Sequence, residues 1–174
     1  MKLFSANIED LRSLYLDNLQ KALDMEEKIA KALPTLIEKS SDPRLAQAFR
    51  NHLQETEGHV MKVETLLRNA TDDVSTVNCK AIGALTTEAS DVNKDVTDPS
   101  IRDIAIIGAA QQVEHHEIAV YGTLRTWAEL LDLEDDADVL ESILREEKNA
   151  DELLSDLSDS INTSAQTDKV TSVR

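Results

Sequence analysis

The sequence predicts an all-α fold: a bundle of four helices with one long crossover between the second and the third. Three observations carry this. Glycine (4) and proline (3) are scarce in 174 residues, aromatics amount to 3%, and Ala, Leu, Glu, Asp and Lys dominate, which favours helix over sheet. Four long segments repeat their apolar residues at the helical period. The second and third of them are separated by the 28 residues 70–97, whereas the other joints are only a few residues long.

The first segment runs from about Asn7 to Ser40, with Ile8, Leu11, Tyr15, Leu19, Ala22, Ile29 and Leu33 on one stripe. Pro34 lies inside it, so a kink or break is expected there. Asp42-Pro43, a cap residue followed by proline at the first helical position, opens the second. That helix continues to about Asn69 with Leu45, Phe49, Val63 and Leu66 on its stripe. Asp98-Pro99 repeats the start signal for the third, which extends to Leu131 or Leu133. The fourth covers about Ala137 to Ser160, with Leu140, Leu144, Leu154, Leu157 and Ile161 apolar.

Short joints around Ser40-Ser41 and Glu134-Asp135 make antiparallel hairpins. A connection as long as 70–97 is uncommon without a purpose, and Cys79 to Asn93 can form a short helix within it. Two hairpins joined by one long crossover is the ferritin-like arrangement of a four-helix bundle. Residues 1–162 read as one bundle domain. Residues 163–174 lack an apolar period and read as a flexible C-terminal tail.

Eighteen basic residues against 34 acidic ones give a net charge of −16. Such a surface repels nucleic acid and anionic membranes, so neither is an expected partner. The single cysteine, Cys79, cannot form an internal disulfide and fits a reducing compartment. The N-terminus, MKLFSANIEDLRSLY, has no apolar secretory core, and the uncharged run Ile104 to Val113 is too short to span a bilayer. A soluble cytoplasmic protein is expected.

Each apolar stripe is interrupted near its middle by groups that can bind a metal. The first reads Leu19, Ala22, Glu26, Ile29, Leu33, and the second Phe49, His52, Glu55 or Thr56, His59, Val63. The third reads Ile107, Gln111, Glu114, Glu117 or Ile118, Tyr121, and the fourth Leu140, Leu144, Glu147, Asp151, Leu154. At about 100° per residue, Glu55 and His59 lie roughly 40° apart on one face, as do Glu147 and Asp151. A lone glutamate on a stripe is usually a boundary residue turned toward water. Four at one depth are a different matter, because buried carboxylates repel each other and lose hydration. Lys28, Lys62 and Lys148 lie off the stripes, which leaves bound cations as the simplest neutralising charge.

The stretches EEKIAKALPTL (26–36), AFRNHLQETEGHVMKVE (48–64), AAQQVEHHEIAVYGTL (109–124) and LREEKNADELL (144–154) resemble the YciE/YciF-type stress-associated proteins. This is a ferritin-like family once catalogued as a domain of unknown function, and the similarity spans about Leu11 to Leu157. The resemblance implies a four-helix bundle, a dinuclear metal centre as in rubrerythrins and ferritins, and homodimers. By the same resemblance Glu26 matches the single carboxylate of the first helix and Glu55 the bridging carboxylate of the second. Glu114 matches the single carboxylate of the third, and Glu147 the bridge of the fourth. One departure stands out. Ferritin-like sites place a histidine three residues after the bridging glutamate, whereas here His59 and Asp151 follow four residues on, and only one of them is histidine.

The expected ligands are therefore Glu26, Glu55, His59, Glu114, Glu117, Glu147 and Asp151, holding two metal ions per chain. An oxygen-rich set suits iron or manganese. His115 is a candidate partner to a carboxylate of a neighbouring helix; His116 reads as packed or solvent-facing. Tyr121 lies two turns from Glu114 on the same line, beside the site, and reads first as a core tyrosine. The expected function is a metal-binding protein of oxidative or general stress, with peroxide or oxygen as a possible small oxidant. The alternative is a stress-induced helical scaffold whose site is empty or structural. Ile82 and Leu85 in the crossover offer apolar surface for the homodimer.

Overall fold

Asp10 accepts a hydrogen bond from the Ser13 amide and so opens α1, Leu11–Lys39. Ile8 precedes this cap and is exposed, so the apolar stripe of α1 begins inside the helix, with Tyr15 as its first fully buried member. The computed structural model describes residues 8–71 and 73–171, and among them there are five helices and no strand. The helix passes through Pro34 unbroken. The ring is exposed, and packing of Leu33, Leu36 and Ile37 against the core holds the last turn that the proline weakens.

Asp42 and Asp98 each accept from the amides they precede and open α2, Pro43–Ala70, and α4, Pro99–Leu130. Between them lies the crossover helix α3, Lys80–Asp95. The last helix, α5, is Glu134–Thr171. It begins three residues before the sequence pattern suggests, because Glu134, Asp135 and Asp136 suit the positive end of the helix dipole. Asp132, with φ 56°, takes the left-handed conformation that turns α4 into α5. The stretch expected as a tail from 163 is helical to Thr171, and 172–174 lie outside the described residues.

Hydrogen bonds between the helices fix the direction of each. The Tyr15 hydroxyl donates to Asp136, so the starts of α1 and α5 meet. Arg102 at the start of α4 donates to the Lys39 carbonyl at the end of α1. Buried Asp103 accepts the amides of Ser41 and Asp42, each at 2.8 Å, which ties the start of α4 to the start of α2. Hence α2 and α4 run parallel, as the long connection requires. The crossover follows α1 on its way back: Val77 donates to the Gln20 carbonyl, and the Cys79 amide donates to Asp24. Lys28 then binds Asp24, Asn78 and the Cys79 carbonyl together.

The α3 helix packs on α1 and α4. Ile82 is fully buried and Leu85 is half-buried against the core. Among the described residues no helix is long and apolar enough to cross a membrane.

Candidate metal centre

Midway along the bundle the hydrophobic core gives way to a polar layer. Glu26, His52, His59, Glu114, Glu117 and Glu147 are all buried there, between residues such as Phe49, Val63 and Leu144. Two groups form. His52, Glu114, Glu117 and Glu147 each bring a ligand atom within 4.8 Å of the others, and so do Glu26, His59 and Glu147. Glu147 belongs to both.

Helix geometry explains the membership. His52 and His59 are seven residues apart, two turns of α2, and together with Thr56 and Val63 they fall within an arc of about 60° at 100° per residue. Glu55 lies about 60° to one side of His52. Its side chain is 46% exposed, its carboxylate stays 3.8 Å from His52 Nδ1, and it enters neither group. Asp151 also stands apart: its Oδ2 meets His115 Nε2 at 3.0 Å at the rim of the layer, while Oδ1 is buried without a partner. Glu26, His59, Glu114, Glu117 and Glu147 are brought together; Glu55 and Asp151 are not. In the place expected for Glu55 stands His52, a histidine that sequence reasoning left unassigned. The signal that could have found it is the seven-residue spacing to His59.

Hydrogen bonding in the layer is incomplete, although His52 Nε2 lies 3.3 Å from Glu114 Oε1. Glu26 Oε2, both ring nitrogens of His52, His59 Nδ1, Glu114 Oε2 and every carboxylate oxygen of Glu117 and Glu147 are buried with no hydrogen-bond partner. His59 Nδ1 lies 2.9 Å from Glu147 Oε1 and 3.6 Å from Glu26 Oε2, yet without the alignment of a hydrogen bond. Buried polar atoms are ordinarily paired, so a concentration of orphans at one depth marks a place built for something else. The donor set of carboxylate oxygens and imidazole nitrogens, on facing helices, could hold metal ions.

The protonation states follow from burial and crowding. Burial, joined by the charges of Glu147, Glu26 and Glu114, holds the Glu117 carboxyl well above the usual range. Glu114 is pushed up to about 8, by burial first and then by Glu147 and Asp151, with His52 acting the other way. Burial opposes protonation of His52 and His59, but the surrounding carboxylates outweigh it. Glu55 and Glu114 lead in raising His52 to about 9, and Glu147 and Glu26 in raising His59 to about 10.

Outer contacts orient these side chains. Glu146 takes His59 Nε2 at 2.6 Å and is itself held by Lys62 at 2.9 and 3.1 Å. In the neutral ring, a proton on Nε2 would leave the lone pair of Nδ1 facing the layer. The buried Tyr121 hydroxyl donates to Glu26, and burial and that carboxylate keep the phenol from ionising. His116 faces Cys79, Nε2 to Sγ 3.7 Å, away from the layer.

Comparison with known proteins agrees with the helical-bundle fold. Residues 10–167 match the domain of unknown function DUF892. The protein YciF of Escherichia coli K12 is 35% identical over 152 residues, covering 87% of this chain and 92% of that one. The crystal structure of YciF, described as an E. coli stress protein, superposes with a TM-score of 0.85 at 33% identity, covering 89% of this chain and 98% of that one. YcfI from Rhodopseudomonas palustris superposes with a TM-score of 0.84 at 37% identity, covering 88% and 98%.

Proposed function

The chain belongs to the DUF892 family, and on that premise we propose that it binds a pair of divalent cations, iron or manganese, and uses them against oxidants under stress. The observation that carries the proposal is the sharing of Glu147 between two ligand groups. One cation would be held by His52, Glu114 and Glu117, the other by Glu26 and His59, with Glu147 bridging. Deprotonated on binding, the four buried carboxylates would carry four negative charges, which two divalent cations would cancel. Two neutral imidazoles complete a set of four carboxylates and two histidines, the same inventory that carboxylate-bridged bundles use, here with both histidines on α2.

When bound, such a pair supplies two one-electron changes of oxidation state, which suits peroxide or oxygen as the reacting oxidant. The chain's own residues orient and insulate. Glu146 and Lys62 fix the His59 ring, Tyr121 holds Glu26, and His115 anchors Asp151 beside Glu114. The E. coli relative is described as a stress protein, which supports the same setting for this chain.

The test is elemental analysis of protein purified after expression in iron-rich and in manganese-rich medium. The expected result is two ions per chain from at least one medium, one for each ligand group. Protein that leaves both media without bound metal would overturn the proposal and favour a helical scaffold.

A further inference from the structure

A cavity of about 200 Å³ lies between the crossover helix and the bundle. Leu33 and Leu36 of α1, Phe49 of α2, Ala89 of α3, and Ala110 and Val113 of α4 form its walls. Exposed Thr35 and Ser90 are among its lining residues, so the cavity opens toward solvent. It exists because alanines stand where α3 crosses α4: Ala89, Ala109 and Ala110 all line it. A larger side chain at any of them would close it.

Two features say what the cavity takes. Its walls are apolar, and an apolar cavity of about 150 Å³ is enough to bind benzene. It is polar only toward His52 and Glu114, apart from hydroxyls such as that of Thr86, which donates to the Ile82 carbonyl of its own helix. Both His52 ring nitrogens and Glu114 Oε2 are buried without a hydrogen bond, His52 Nε2 lying 3.3 Å from Glu114 Oε1. A charged carboxylate or phosphate head would have to leave water for walls that are almost wholly apolar, so a neutral molecule is favoured.

We propose that this cavity binds a small neutral organic molecule, with an aromatic or short branched alkyl body against Leu33, Phe49 and Ala110. Its hydroxyl or hydroperoxyl head lies at the His52–Glu114 end. The placement of the head rests on the reading of His52 and Glu114 as cation ligands; the binding of the body does not.

The experiment uses cumyl alcohol, a neutral and unreactive probe, with the full chain in two states. In the metal-free protein, carbon-13 methyl NMR is expected to show saturable shifts at Ala89, Ala110 and Val113. Affinity is expected to fall at least tenfold in Ala110→Leu, which fills the cavity, and in Ser90→Phe, an exposed lining position where folding is not at stake. The absence of saturable shifts at those methyls, or equal affinity in wild type and in Ser90→Phe, would overturn the proposal. In the manganese-loaded protein the bound alcohol's protons are expected to relax faster in the presence of the paramagnetic ion. Binding without that enhancement would overturn the placement of the head. A chain that takes up no manganese yet still binds the alcohol would overturn the metal reading and leave the chamber standing.

Discussion

Glu147→Ala is expected to abolish binding of both cations, not one, because this carboxylate is the only member common to the two ligand groups. Affinity for the pair should drop by more than about 100-fold, beyond the 10- to 100-fold typical of removing an outer partner. Metal titration followed by elemental analysis measures it. Glu55→Ala is the informative control: the side chain is exposed and joins neither group, so near-full occupancy is expected. Retention of both ions by Glu147→Ala, or their loss from Glu55→Ala, would show that the groups are wrongly assigned. Stability should move much less. The charge of Glu147 raises Glu26, Glu114 and Glu117 but also faces His59 Nδ1 at 2.9 Å, so the near-isosteric Glu147→Gln is expected to melt close to wild type when both are stripped of metal.

Stripping the metal from wild type is expected to lower its melting temperature, and by an amount that grows with pH. Free metal at 100 to 1,000 times its Kd stabilises a site by about 3–4 kcal/mol. For a chain of this size that is a shift of roughly 10 °C. In the stripped protein the Glu114 carboxyl sits at about 8, above its ordinary 4.5. Its contribution is fully present below about 4.5 and is lost as pH rises through 8. His52 and His59, at about 9 and about 10 against an ordinary 6.5, contribute fully below 6.5 and lose their share as pH climbs through 9 to 10. All three slopes have one sign, so the stripped protein weakens steadily from pH 5.5 to pH 9. Bound cations need the deprotonated ligands, so they remove that slope and release protons on binding. Calorimetric melts should show a wide gap between loaded and stripped protein at pH 8 and a narrow one at pH 5.5. A gap that is constant, or widest in acid, would contradict the assignment.

Much of this fold was legible because its signals are local. Asp42-Pro43 and Asp98-Pro99 mark two helix starts without reference to anything distant, and the length of 70–97 alone demands a crossover. The path of that crossover was not legible. It is set by Asp24, Gln20 and Lys28 binding residues more than 49 positions away, contacts that leave no periodic trace. In the polar layer, depth could be read from the stripes, which is why Glu26, His59, Glu114, Glu117 and Glu147 share it. The azimuth around α2 could not be read as well. A three- or four-residue spacing pointed to Glu55, whereas the buried face runs through His52, Thr56 and His59. The start of α5 was misplaced for a related reason: its first turn is held by acidic residues at the helix dipole, not by an apolar stripe.

The pairing of α1 with α2 and of α4 with α5 has a consequence in time. Neither hairpin owns a complete ligand group: the first supplies Glu26, His52 and His59, the second Glu114, Glu117 and Glu147. A cation can therefore gain its full coordination only after the crossover has docked and the two halves have met. Stabilising contacts that form after the transition state slow unfolding and leave the folding rate nearly unchanged. The cations would act as a latch closed last, lengthening the life of the folded chain without hastening its assembly.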